Sequence, residues 1–147
     1  MNYETKDTIA AVATAPGPGA ISIVRVSGPN VLPIINEIAG LTPSPRHAHM
    51  CALSDESGAI IDHGLAIFFP RPHSFTGEDV LEFQGHGNPI IIEQILQTLF
   101  SWGVRMAEPG EFSQRAFLNG KIPLSKAEAI LDIIESNSEA SHKIAIN

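Results

Sequence analysis

The chain has 147 residues, 44% of them hydrophobic and 17% charged. That composition excludes a disordered polypeptide and suits one domain, or one domain plus part of a second. Nine Lys+Arg against sixteen Asp+Glu give a net charge of −7, and the arginines (Arg25, Arg46, Arg71, Arg105, Arg115) are scattered, which argues against this chain being the main grip on a nucleic acid. Cys51 is the single cysteine, so no internal disulfide can form. No apolar run approaches the roughly 20 residues of a membrane span. The polar start Met1–Asp7 lacks a secretory pattern. A cytoplasmic protein without membrane contact is expected.

Asp7 to Thr14 reads as a strand. Ala15-Pro16-Gly17-Pro18-Gly19 is a tight loop, and Gly19 to Val26 is the clearest strand of the chain. Alternation places Ile21, Ile23 and Arg25 on one face of that strand and Ser22, Val24 and Val26 on the other. Val31 to Ala39 is expected to be a helix capped by Asn30 and ended by Gly40. Ala48–Leu53 and Ile60–Phe69 flank Asp55-Glu56-Ser57-Gly58 as a β-hairpin. Asp79 to Gln84 alternates as a strand. A helix capped by Asn88, with Pro89 in its first position, follows through Phe100. Val104–Ala107 is a short strand. Pro109–Leu118 is a helix with Phe112, Ala116 and Phe117 inward. Ser125-Lys126-Ala127-Glu128 is read as a capping box opening the last helix. The apolar stripe of that helix (Ala127, Ile130, Leu131, Ile134) thins after Glu135, so its end is expected to stand away from the body and to exchange its amide hydrogens quickly. The fold class expected is α+β, with a mixed or antiparallel sheet and flanking helices.

The Gly-Pro loop at 15–19 is no phosphate loop, because it lacks GxxxxGK[ST] and leads into a strand. It is read as a turn letting two strands approach closely. His47, His49 and Cys51 share a strand face, but each lies about 6–7 Å from the next at ~3.3 Å per residue. No metal site is expected there. Ser74, Thr76 and Asp79 are read as a turn held by side-chain hydrogen bonds. Gly85-His86-Gly87 has the form of a backbone that admits a ligand, since glycine removes bulk. Arg25 and Glu82 are harder to place. Ionised groups on a core-facing strand are costly unless paired or ligand-bound. Two readings stay open: a structural pair or sheet-edge residues, and a binding site.

Three blocks carry a resemblance: DTIAAVATAPGPGAISIVRVSGP (7–29), PHSFTGEDVLEFQGHGNP (72–89) and AEPGEFSQRAFLNGKIPLSKAEAILDII (107–134), about half the chain. In order and spacing the sequence resembles the N-terminal domain of the MnmE (TrmE) family of tRNA-modification GTPases. The resemblance implies a fold like the tetrahydrofolate-binding part of the glycine-cleavage aminomethyltransferase. It implies a folate-binding and dimerisation domain over 1–120 and the start of a helical domain over 121–147. The GTPase domain, with its Mg²⁺ and K⁺ sites, is absent from this sequence, so no GTP hydrolysis is expected of the chain. It also implies a homodimer, 5-formyl-tetrahydrofolate or a related one-carbon folate as ligand, and a flavoprotein partner, MnmG (GidA). With that partner the full-length protein modifies the wobble uridine of tRNA by a carboxymethylaminomethyl-type addition. The family's folate contacts fall on Arg25, Glu82 and Lys121. Glu82 can accept the pterin's paired N–H donors, and Arg25 and Lys121 are the cations for the tail or the formyl region. No catalytic residue is assigned. Asn88 departs from the glycine more usual at that place. Two rivals are a stand-alone folate-dependent one-carbon transferase, with Glu78, Asp79 and His86 as its available acid–base groups, and a pure dimerisation module with a vestigial pocket.

Overall fold

In a computed structural model, residues 7–14 and 19–146 are described, with side chains through Asn137. Among them are six strands and four helices: β1 (Ile9–Val12), β2 (Ile21–Ser27), α1 (Val31–Ala39), β3 (His49–Ser54), β4 (Ile60–Phe69), β5 (Val80–His86), α2 (Pro89–Ser101), β6 (Arg105–Met106), α3 (Glu111–Leu118) and α4 (Leu124–Ile146). The sheet runs β3-β4-β5-β2-β1-β6. Every pairing is antiparallel except β1 with β6, so the sheet is mixed, as the α+β reading expects. No helix among the described residues is long and apolar enough to cross a membrane.

Alternation decides which face of the sheet is the core. On β2, Ser22, Val24 and Val26 are buried, while Ile21 is 65% exposed and Arg25 is half-buried. Leu81 and Phe83 of β5 and Ala66 and Phe68 of β4 join Val24 and Val26. Helices α1 and α2 cover this face, α1 through Val31, Ile34, Ile35 and Ile38 and α2 through Ile95, Leu96 and Leu99. Each such side chain, once fully buried, contributes about 1.5–3 kcal/mol. Arg25 and Glu82 therefore stand on the face opposite this core, not on a core-facing surface. The segment 70–79 and α3 close one end of that opposite face. There the Ser27 hydroxyl of β2 meets Thr76 Oγ1 at 2.7 Å and Glu78 Oε1 at 2.8 Å, and Arg115 of α3 reaches Glu78 at 3.1 Å.

The cap readings divide. Asn88 accepts from the Ile90 N–H at 2.8 Å, and Gly40 closes α1 in the left-handed region. Asn30 makes no side-chain cap bond, because its backbone (φ −104°, ψ 17°) is outside the extended region from which a cap side chain reaches back to the helix; its N–H donates to Thr8 Oγ1 at 3.0 Å. The capping box at Ser125 is not formed as read. α4 starts one residue earlier, with the Pro123 carbonyl accepting from Lys126 and Ala127, so Ser125 already lies inside the first turn. α4 docks on α3. Ala127 is buried, and Leu131 and Ile134 approach Gly110 at the start of α3. The side chains after Asn137, on which the expectation of a detached helix end bears, lie outside the described residues, as does the loop 15–18.

Gly64 sets the spacing between β4 and β5. A Cβ there would stand 2.2 Å from the Gln84 carbonyl oxygen and 3.0 Å from Phe83 Cζ. The first of these is backbone and cannot swing aside. Gly64→Ala is therefore expected to cost about 1–3 kcal/mol through overpacking. Chemical denaturation should show a lower midpoint at unchanged slope, and an unchanged midpoint would mean that the sheet relaxes freely here.

Candidate functional site

The register of β2 and β5 brings Arg25 directly opposite Glu82. Arg25 Nε and Nη2 donate to Glu82 Oε1 at 3.2 and 2.9 Å. The side chains are 27% and 18% exposed, so this is a partly covered ion pair and not a solvated one. The structural reading is satisfied to that extent: the two residues pair with each other. The pairing is one-sided, however. Both guanidinium donors land on Oε1, and no hydrogen bond to Oε2 is seen among the described residues. Phe75 and Phe112 flank the guanidinium, with ring centroids 5.6 and 5.9 Å from Arg25 Cζ. The arrangement is a carboxylate oxygen without a hydrogen-bond partner among the described residues, beside a cation that lies close to two aromatic rings.

Lys121 is not brought against this pair by any contact seen here. It is exposed, and its backbone N–H closes α3 on the Ala116 carbonyl at 2.8 Å. Two residues earlier, Asn119 Nδ2 donates to the Thr76 carbonyl at 2.8 Å, so the chain at Lys121 leaves α3 beside the segment that carries Phe75.

Around the pair, the polar turn behaves as read. Ser74 Oγ donates to the Glu78 carbonyl, Thr76 Oγ1 accepts from the Glu78 N–H at 3.2 Å, and Asp79 Oδ1 accepts from the Arg71 N–H at 2.9 Å. Glu78 is buried and bound by Arg115, which also reaches Asp7 and Glu111. The sequence reading missed Arg115. The signal was present: Phe112, Arg115 and Ala116 recur at helical spacing on the inward face of α3, where a charge must find a partner. Arg115 and Ala116 are buried there, while Phe112 and Phe117 are half-buried.

The glycines of Gly85-His86-Gly87 do not open room for a ligand. A Cβ on Gly85 would meet Asp62 Oδ2 at 2.5 Å, and one on Gly87 would meet the Gly19 carbonyl oxygen at 2.0 Å. They make room for the protein's own atoms. Asp62, also missed, is buried and accepts from the His86 N–H (2.9 Å), the His63 N–H (2.9 Å) and the His86 ring at Nδ1 (2.6 Å). His49 Nε2 is occupied by the Ser44 N–H at 2.9 Å, which explains its place without a metal.

Burial alone would raise the Asp62 carboxyl, but the hydrogen bonds from His86 and His63 outweigh it and hold the group below the usual carboxylate range. Glu111 is lowered chiefly by its hydrogen bond from Arg105. Asp7 is lowered by Arg105 and Arg115 against a larger single desolvation effect. Carboxyls depressed in the folded state stabilise it above their ordinary pKa, and that stability is lost as pH falls through the folded values. Stability is therefore expected to be level near neutrality and to fall steeply below about pH 4. Asp62→Asn should flatten part of the fall. Denaturant midpoints from pH 7 to pH 2 test this, and a level profile to pH 2 would refute it.

A family model described as "GTP-binding protein TrmE N-terminus" matches residues 8–121. The chain is 54% identical over all 147 residues to the tRNA modification GTPase MnmE of Saccharophagus degradans, of which it covers 32%. It is 55% identical over 141 residues, 96% of the chain, to the protein of the same name from Stutzerimonas stutzeri, covering 31% of that protein. It therefore spans about a third of the length of these relatives. With the mixed sheet and the Arg25–Glu82 geometry in place, a match over residues 8–121 and identity above one half together show that the chain belongs to the family of GTP-binding protein TrmE N-termini.

Proposed function

We propose that this chain is the ligand-binding and dimer-forming N-terminal unit of a tRNA-modification GTPase, and that its ligand is a one-carbon folate such as 5-formyl-tetrahydrofolate. The observation that carries the ligand is the open Oε2 of Glu82 beside the Arg25 guanidinium. A pterin presents a 2-amino group and a ring N–H side by side, and a partly buried carboxylate with a free oxygen accepts from both. Phe75 and Phe112 give a flat ring apolar walls. Lys121 completes the proposed set as a cation at the rim. Dimerisation is supported by the open part of the same sheet face, where Ile21 is 65% and Met50 89% exposed.

The relatives' name, tRNA modification GTPase, supports the assignment of the whole protein to that process. In this reading the full-length protein works with the flavoprotein MnmG on the wobble uridine of tRNA, in the cytoplasm, and GTP hydrolysis with its Mg²⁺ and K⁺ resides in the remaining two-thirds of the relatives' length. A stand-alone one-carbon transferase is not favoured. Of its acid–base candidates, Glu78 is held by Arg115 and Asp79 by the Arg71 N–H.

Calorimetric titration of the chain with 5-formyl-tetrahydrofolate tests the reading, with a saturable isotherm expected. Sedimentation equilibrium should give a dimer. Absence of binding at millimolar ligand would leave Arg25 and Glu82 as a structural pair, and a monomer at all accessible concentrations would remove the dimer.

A further inference from the structure

The Arg25–Glu82 pair leaves hydrogen-bonding capacity of both kinds unused. A guanidinium carries five N–H donors. Two of them, one on Nε and one on Nη2, go to Glu82 Oε1. Among the described residues no hydrogen bond is seen from Arg25 Nη1, and none to Glu82 Oε2. Both residues are half-buried, and no buried side-chain nitrogen or oxygen among the described residues lacks a partner. Nη1 and Oε2 therefore reach solvent. A single ion pair thus presents donors and an acceptor at the surface.

The surroundings favour a flat, neutral group. On the same sheet face, the register places Ala11 of β1 beside Arg25 and Ile67 of β4 beside Glu82, both half-buried. The Phe75 and Phe112 rings lie 5.6 and 5.9 Å from Arg25 Cζ. An anion gains little here. The charge of Arg25 is already matched by Glu82 at 2.9 Å, so a carboxylate approaching the guanidinium would also stand close to a second carboxylate. A neutral ring edge that offers both a donor and an acceptor satisfies the pair without adding charge. The simplest such edge is a ring lactam, an N–H next to a C=O.

We propose that Arg25 is the specificity residue for the ligand's head, and that it acts as a donor to a ring carbonyl. Glu82 Oε2 accepts from the ring N–H, and the unused N–H groups of Arg25 donate to the carbonyl beside it. The proposal deepens the folate reading above and rests on it, since a pterin carries a carbonyl at position 4 next to its ring N–H. The site then selects 4-oxo over 4-amino pteridines, because a 4-amino group turns its own donors toward the guanidinium. By the same charge argument the carboxylate tail of the ligand is not held by Arg25, which leaves Lys121 as its cation in the proposed set.

The test is calorimetric titration with 5-formyl-tetrahydrofolate and with 5-formyl-tetrahydroaminopterin, which differs only in the amino group at position 4. Mildly alkaline buffer keeps the diaminopyrimidine ring unprotonated. The parent chain is expected to prefer the 4-oxo ligand by about tenfold to a hundredfold, the size of one hydrogen bond to a charged group. Arg25→Lys keeps a cation beside Glu82 but replaces the planar fork of donors by one ammonium. It should bind the 4-oxo ligand more weakly and the 4-amino ligand about as well as the parent does, so the preference shrinks. A denaturation midpoint shows whether Arg25→Lys is folded. Equal affinity of the parent for the two ligands, or a preference for the 4-amino one, overturns the proposal whatever the variant does, and leaves the folate reading standing. An undiminished preference in folded Arg25→Lys also overturns it, since another group then reads position 4. If the parent chain binds neither ligand, the folate reading itself fails and the proposal falls with it. Guanosine carries the same ring edge, and tighter binding of guanosine than of 5-formyl-tetrahydrofolate would likewise overturn the folate reading.

Discussion

Arg115→Ala is expected to destabilise the chain by about 3–5 kcal/mol, the usual cost of removing one partner of a buried ion pair. The Arg115 side chain is 3% exposed and that of Glu78 is 10% exposed. Arg115 Nη1 spans both Glu78 oxygens at 3.1 and 3.3 Å, and Nη2 binds Asp7 at 2.7 Å and Glu111 at 3.2 Å. Truncation takes the Arg115 cation away from the buried Glu78 carboxylate, which keeps its hydrogen bond from the Ser27 hydroxyl. It also unties α3 from the N-terminal segment and from the 70–79 turn. Because Phe112 lies on the same helix and flanks Arg25, ligand affinity should fall with stability. Pairing Arg115→Met with Glu78→Gln should recover part of the loss, since no uncompensated charge then remains. Denaturant unfolding of the single and the paired variant decides the matter. A cost below about 1 kcal/mol for Arg115→Ala would mean that Glu78 reaches water by a small rearrangement.

Glu82→Gln should leave the fold intact and weaken 5-formyl-tetrahydrofolate binding about tenfold to a hundredfold, the size of a hydrogen bond to a charged group. The side chain keeps its shape, and its carbonyl oxygen can still accept from Arg25. The position of Oε2, however, becomes an N–H₂ donor that faces the pterin's own donors. Arg25→Ala should also weaken binding, and it leaves a carboxylate that is only 18% exposed without its cation, so it should cost stability as well. The contrast between the two variants separates ligand contact from structural support. Calorimetry on each, alongside a denaturation midpoint, is the measurement. Unchanged affinity in Glu82→Gln would reduce the pair to a piece of sheet structure.

Much of the fold is legible in the residues themselves, because the signals are local. The 3.6-residue recurrence of Val31, Ile34, Ile35 and Ile38 gives α1, and Asn88-Pro89 gives the start of α2. The Asp55–Gly58 turn gives the β3–β4 hairpin. Local signals fail where a donor or a charge has a choice of partners. Asn30 could cap its own helix, but the backbone conformation it takes beside Thr8 is not that of a cap, and the helix at Ser125 begins earlier because the Pro123 carbonyl is already in position. The glycines at 85 and 87 mark close approach in the sequence, but only the packing of β4 and of Gly19 says that protein atoms fill the space.

The candidate site divides in the same way. That Arg25 and Glu82 are anomalous on their strands is a property of the sequence, as is the family resemblance of the blocks around them. That they lie opposite one another follows from the register of β2 with β5, two strands separated by more than fifty residues, which no local pattern encodes. The tertiary structure alone put them on the face away from the α1–α2 core and spent both Arg25 donors on one oxygen of Glu82. It alone buried Arg115 and Asp62 against partners far along the chain. The physical reason is that a charge's cost and its remedy depend on which distant groups the fold brings within about 3 Å, while hydrophobic period and turn chemistry are settled by neighbours in sequence.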